Sequence, residues 1–231
     1  TTGLVVGAGI SGTGIPAGAT IVSITNATSL VISAPATAAG TLQTFTVAQN
    51  VNFGQTNTAA WTTQTINSLR NNATTAANLL IGAGQTITVR SGAILFGSSF
   101  AAASLSTTAG QGTIVPGAGR ELVIFVGGNG GSLTINAVLG ESAAGPSDVT
   151  FRGMMAVNGG RNDVILKANS TYSGDTYISG VRVRTDLSTV TAPFGTGLNG
   201  NVYIYGNNGG QFMMADSATI SRNWYIIGNG W

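Results

Sequence analysis

The chain has 231 residues, 43% hydrophobic but only 7% charged, against about 25% charged in an average soluble domain. Its nine basic and seven acidic side chains leave a formal net charge of +2. Spread this thinly, they form no basic patch for the multiple phosphate contacts on which nucleic-acid affinity rests.

The absence of Cys and His excludes a disulfide framework and thiolate chemistry and removes the commonest metal ligand and general base. No run approaches the ~20 apolar residues of a membrane-crossing helix. No basic-then-apolar leader opens the sequence, so an exported chain would here be a mature form or an excised fragment. The polar surface comes from Thr, Ser, Asn, Gln and Gly, which suit strands and turns better than solvent-facing helices. The expectation is an all-β chain.

Taken in order, the apolar clusters are short, rich in β-branched or aromatic residues, and bounded by Gly or Asn. Leu4–Val6, Thr20–Ile24, Ser29–Ser33 and Thr41–Val47 lie in a first stretch without a single charge. It reads as a small β module of hairpins, residues 1–48, with a boundary near Ala48–Asn50. From residue 49 to 231 the clusters are Thr65–Leu69, Asn78–Ile81, Thr86–Arg90, Ala93–Phe96, Glu121–Val126 and Ser132–Val138. Then come Asp148–Phe151, Asp163–Lys167, Thr176–Arg184, Asn201–Tyr205, Gln211–Met214 and Trp224–Ile227. Ala59–Ala77 is the richest helix candidate, but its Thr and Asn content argues against one.

Gly127–Gly131, Gly159–Asn162 and Gly206–Gly210 are turn chemistry, because Gly and Asn tolerate positive φ at little cost. From about residue 121 the strand starts fall ~10–15 residues apart, a spacing compatible with a sandwich or with stacked solenoid coils. The recurrence of Gly and Asn after strands favours the solenoid, which needs a turn at each corner. Stacked Thr, Ser and Asn can then bond to their neighbours along the ladder.

Residues 160–215 carry a more specific pattern. Val164-Ile165-Leu166 leads into Asn169-Ser170-Thr171-Tyr172-Ser173-Gly174, then the strand Thr176-Tyr177-Ile178-Ser179-Gly180 and the turn Phe194-Gly195-Thr196-Gly197. This resembles the autotransporter-associated β-strand repeat of bacterial passenger domains, departing from it at Lys167-Ala168 and Asp175. The resemblance implies a right-handed parallel β-helix, exported to the cell surface as part of a longer polypeptide. It implies a scaffold with no catalytic residues.

Motifs that could carry chemistry are weak. Gly7-Ala8-Gly9-Ile10-Ser11-Gly12 matches the dinucleotide fingerprint. However, Thr13-Gly14-Ile15-Pro16 cannot continue as the required helix, and the first acid in the chain is Glu121. No cofactor is expected. The acids Glu121, Glu141, Asp148, Asp163, Asp175, Asp186 and Asp216 are scattered. Asp163 and Asp175 would approach only if their coils stack, whereas glycosidase chemistry needs two carboxyls ~5–9.5 Å apart. No dense Asp spacing suggests calcium, and no metal site is expected. Arg182 and Arg184 share a strand face as a pair of exposed bases. The sequons at Asn26, Asn72 and Asn169 are expected by chance in so Asn- and Thr-rich a chain.

The aromatics are the remaining candidates for surface contact: Tyr203, Tyr205, Trp224, Tyr225 and Trp231. Alternation puts Tyr203 and Tyr205 on the face opposite Val202 and Ile204, so one of the two rows can be exposed. The expected function is a structural or adhesive extracellular rod, not an enzyme, with carbohydrate binding or polysaccharide processing as the alternative. Its expected partners are neighbouring coils of the same polypeptide, identical copies stacked end to end, or surface glycans. Nucleic acid and a membrane-spanning role are not expected.

Overall fold

The computed structural model describes residues 9–26, 28–38, 46–57, 59–97, 102–127, 131–154, 162–185, 190–197, 200–214 and 220–228. The protein is all-β. Among the described residues the only helical segment is one 3-10 turn, Gly206–Asn208, and no helix is long and apolar enough to cross a membrane.

Three parallel sheets hold most of the described strands. The first stacks Asn50–Phe53, Ser68–Asn71, Ala93–Phe96, Leu122–Val126, Val149–Gly153, Thr176–Ser179, Asn201–Tyr205 and Asn223–Ile227, in that order. The second stacks Ala77–Leu79, Ala102–Leu105, Ser132–Ile135, Asp163–Leu166, Arg182–Thr185 and Gln211–Met213. The third stacks Gln64–Ile66, Thr86–Val89, Thr113–Pro116 and Val138–Leu139. From Ser68 to Leu139 the chain visits the three sheets in rotation, and each strand pairs in parallel with its counterpart one circuit away. Register-paired residues on successive circuits are 18 to 31 residues apart.

Register then places equivalent side chains in columns. Leu69, Ile94, Ile124, Phe151, Ile178 and Ile204 form one inward column of the first sheet, and all are buried. Leu79, Leu105, Ile135 and Leu166 do the same in the second sheet, and Ile87, Ile114 and Leu139 in the third. The interior is therefore a set of stacked aliphatic rows held by ladder hydrogen bonds. It forms because strand side chains alternate faces and the inward face of most strands is apolar, with Asn71, Thr176 and Thr185 as buried polar members.

After Val138–Leu139 the third side continues without assigned strands. The stretch Asn169-Ser170-Thr171-Tyr172 lies there, with the Thr171 N–H donating to the Leu139 carbonyl and the Ser170 N–H to the Ala192 carbonyl, both at 2.8 Å. Tyr172 and Phe194 are fully buried and fill the interior at this level.

The sequence expected Thr65–Leu69, Ser132–Val138 and Thr176–Arg184 as single strands. Each is two strands on different sheets, broken where the chain turns a corner at Asn67, Asn136-Ala137 and Gly180-Val181. Gly180 shows why: its φ is +68°, and a Cβ there would overlap the Gly153 carbonyl oxygen of the circuit before. Ala59–Ala77 holds the strands Gln64–Ile66 and Ser68–Asn71 and no helix. The short strands Ala102–Leu105 and Thr113–Pro116, along with Gly9–Ser11 and Asn50–Phe53, were not expected. Leu4–Val6 lies outside the described residues.

Before residue 49 the pairing is antiparallel: Gly9–Ser11 with Thr46–Ala48, and Ile21–Asn26 with Ser29–Ile32. Ile10, Ala19 and Ile21 make a small hydrophobic cluster here, backed by Ile15, Ile24, Leu30 and Ile32. The Arg90 guanidinium ties it to the parallel sheets, with Nη2 donating to the carbonyls of Gly18 at 2.8 Å and Ala19 at 3.2 Å.

The column model makes a direct prediction within one strand. Ile124→Ala, on the inward row, should cost about 2–5 kcal/mol of stability through lost burial and a residual cavity. Val123→Ala, on the outward row of the same strand, should cost less than about 1 kcal/mol. Urea denaturation of the two variants checks the contrast.

Candidate functional site

On the outer face of the first sheet, register brings three tyrosines into line. Tyr177 pairs with Tyr203, and Tyr203 with Tyr225. The ring centroids are 5.2 and 5.0 Å apart, with interplanar angles of 11° and 17°. The rings therefore stack on one another, with Tyr225 48% exposed at the end of the row. The Tyr177 hydroxyl donates to Asp175 Oδ2 at 3.4 Å, and the Tyr203 hydroxyl accepts from Asn201 Nδ2 at 3.3 Å. Below Tyr177 the column continues as Thr150 and Val123.

The surface aromatics expected from sequence divide accordingly. Tyr203, Tyr205 and Tyr225 lie on the outer face, while Val202 and Ile204 are buried beneath. Tyr205 occupies the adjacent column, between Ser179 and Ile227. Trp224 belongs to the opposite face. Its ring stacks on Phe212 at 5.1 Å and meets Phe194 edge-on at 5.7 Å, packed against the core. Its place next to Tyr225 in sequence puts it on the other side of the sheet. Trp231 lies outside the described residues.

Beside the tyrosines runs a row of acids and amides at the corner entering the sheet. Asp148 Oδ1 accepts the Asp175 N–H at 2.7 Å. Asp175 Oδ1 accepts the Asn201 N–H at 2.8 Å and its Nδ2 at 3.2 Å. Asn223 Nδ2 donates to Asn201 Oδ1 at 3.3 Å, and the Thr150 hydroxyl donates to Glu121. Sequence alone raised an approach of Asp163 to Asp175. Stacking instead joins Asp148 to Asp175, because Asp163 opens a strand of the second sheet. Asp148 and Asp175 line a small recess of about 270 Å³ with Pro146, Ser173, Gly174 and Gly197. Each already accepts a backbone N–H from the next circuit, so these carboxylates hold the corner. Among the described residues, Asp and Glu nowhere gather in a group of three able to hold a metal.

Asp163 is used differently. Arg182 grips it with Nε at 2.7 Å and Nη2 at 2.5 Å, and Arg184 Nε lies 3.4 Å from the same carboxylate. The expected exposed pair of arginines is thus a part-buried cluster with its counter-ion one circuit away. Bonding to Asp163 raises the Arg182 pKa further. Arg222 reaches across two circuits, donating to the carbonyls of Gly174 at 3.0 Å and Tyr172 at 3.3 Å. It fits because a Cβ on Gly200 would overlap its guanidinium. Burial lowers its pKa.

Two tyrosine phenols are held protonated. Burial pushes Tyr172 far above its ordinary value, only partly offset by the hydrogen bond with Thr176 at 2.7 Å. Tyr177 is pushed up to about 12, by burial first and then by the Asp175 and Asp148 carboxylates.

A feature absent from the sequence reading is an open groove of about 970 Å³, lined by uncharged side chains including Asn52, Gln55, Trp61, Thr62, Gln64 and Asn72. Asn57 braces it, accepting the Leu80 N–H at 2.6 Å and donating to the Leu80 carbonyl at 3.1 Å. The only signal in the sequence was an isolated Trp between amide-rich segments, and nothing local placed Asn72 beside it.

Fold and surface together define an all-β protein of stacked parallel sheets with a tyrosine row on one face. Comparison with models of known families, with curated proteins and with solved structures finds no match.

Two outcomes are expected. The phenol pKa values stand above the ordinary value of 10.0, so the fold favours the neutral forms. That stabilisation is complete below pH 10.0 and is lost as pH rises through about 12. The thermal midpoint should therefore fall across this window, with Tyr172 ionising only on unfolding, as read by tyrosinate absorbance. Separately, Asp163→Asn should cost about 1.5–3 kcal/mol by weakening charge-assisted hydrogen bonds, measured by chemical denaturation.

Proposed function

We propose that the protein is a segment of an extracellular, structural or adhesive rod of bacterial origin: a right-handed parallel β-helix of the autotransporter passenger type. The observation that carries the reading is the rotation of the chain through three sheets in parallel register, with each circuit burying its apolar face against the next. A thin circuit of this kind gains stability only from its neighbours, and its natural product is length. The repeat-like stretch around Tyr172 supports the kinship, since its tyrosine is the buried filler of one circuit.

On this reading the chain is not an enzyme and needs no cofactor. Its partners are further circuits of the same polypeptide or copies stacked end to end. Ile226 and Ile227 are exposed on Asn223–Ile227, the outermost strand of the first sheet among the described residues. Turnover of any member of a polysaccharide panel would overturn the scaffold role.

A second reading, binding of a neutral glycan, is favoured by the groove at Trp61. Uncharged amides and an indole are the chemistry that sugar hydroxyls and C–H faces meet. Quenching of tryptophan fluorescence by neutral oligosaccharides, lost in Trp61→Ala, is its test.

The main reading predicts that electron microscopy will show narrow rods with an axial spacing of about 4.8 Å between circuits. Compact particles lacking that spacing would refute it. The parent gene should encode a signal peptide and a translocator or surface anchor.

A further inference from the structure

We infer that Tyr203 is a site of oxidative cross-linking, joining to Tyr177 on one side and Tyr225 on the other, with hydrogen peroxide acting through a haem peroxidase as the oxidant. The inference rests on the tyrosine row and not on the rod reading.

The sequence contains five tyrosines, and the structure sorts them. Tyr172 is fully buried and bonded to Thr176. Tyr205 has Ser179 and Ile227 as its register partners, so no phenol lies above or below it. Only Tyr177, Tyr203 and Tyr225 form a row of neighbouring rings, nearly parallel and 5.0 to 5.2 Å apart between centroids. All three stand on the outer face, within reach of a macromolecular or small diffusible oxidant.

The chemistry balances within one pair. The peroxidase removes one electron from each phenol, and each hydroxyl loses its proton. For Tyr177, Asp175 Oδ2 stands 3.4 Å away as the acceptor; for Tyr203 and Tyr225 the proton goes to water. The two phenoxyl radicals join through a bond between ring carbons ortho to the oxygens. Each of these carbons then releases its hydrogen as a proton, and each oxygen regains one. The pair has lost two hydrogen atoms, and one hydrogen peroxide has become two waters.

Proximity decides where the radicals go. Well-oriented groups in one molecule react with effective molarities on the order of 10⁵ M or more, far above any concentration of a second chain. Coupling within the row therefore wins over coupling between chains. Each link would tie one circuit covalently to the next.

The test treats the dilute full chain with a haem peroxidase and hydrogen peroxide and recovers the monomer by gel filtration. Blue dityrosine fluorescence and mapping of linked peptides are the readouts. The expected monomer fluoresces, has lost two hydrogens per link, and yields peptides joining Tyr203 to Tyr177 or Tyr225. Tyr205→Phe leaves the signal unchanged. Tyr203→Phe, which keeps the ring and its stacking, loses it, because Tyr177 and Tyr225 are then two circuits apart. A dark wild-type monomer, links mapping to Tyr205, or fluorescence persisting in Tyr203→Phe monomer would each overturn the inference. The wild-type peptide map decides the matter even if a variant folds poorly.

Discussion

Parallel hydrogen bonding in matched register between one circuit of the chain and the next is the constraint from which the other features descend. Because the ladder has no stagger, a position in one strand meets its counterpart in the next, and side chains add up in columns. Apolar columns become the interior and polar ones the surface. The same rule that stacks Ile94 on Ile124 on Phe151 stacks Tyr177 on Tyr203 on Tyr225 on the other face. The tyrosine row is thus the outward image of the core.

The scarcity of charge takes on meaning in this setting. Like charges in one column would stand about 4.8 Å apart along the stack and repel. Where acids do fall in line, at Asp148 and Asp175, each carboxylate accepts the backbone N–H of the next circuit, and the row is completed by Asn201 and Asn223. Where arginines fall in one strand, at Arg182 and Arg184, they close on a single aspartate in the strand below. Arg222 and Arg90 donate to backbone carbonyls outside the strands, at Gly174 and Gly18. Most of these charged groups join parts of the chain far apart in sequence.

The strands were most legible where alternation was clean and both ends were marked. Ala93–Phe96 and Asn201–Tyr205 match their expected bounds. Legibility failed at corners, because a sharp bend between two strands need not interrupt the apolar pattern. Ser132–Val138 reads as one run, though Asn136 and Ala137 turn it from the second sheet to the third. It failed again where small residues form a strand, as in Ala102–Leu105, since neither volume nor β-branching marks it and only the ladder holds it. Of the surface aromatics, alternation correctly set Tyr203 and Tyr205 opposite Val202 and Ile204. It equally required Trp224 and Tyr225 to part, and the neighbourhood of the two rings in sequence concealed that.

Composition and local pattern by themselves determined the class of structure: all-β, poor in charge, turned by Gly and Asn, with no His or Cys for catalysis or metal binding. These are properties of single residues and their near neighbours, so they survive without a fold. Tertiary structure alone decided which residues meet. Asp148 with Asp175, Asp163 with Arg182, and neighbouring tyrosines of the row are 19 to 27 residues apart, a distance fixed by the length of each circuit. Circuit length varies with loops that carry no periodic signal, so no spacing rule in the sequence could have announced those contacts.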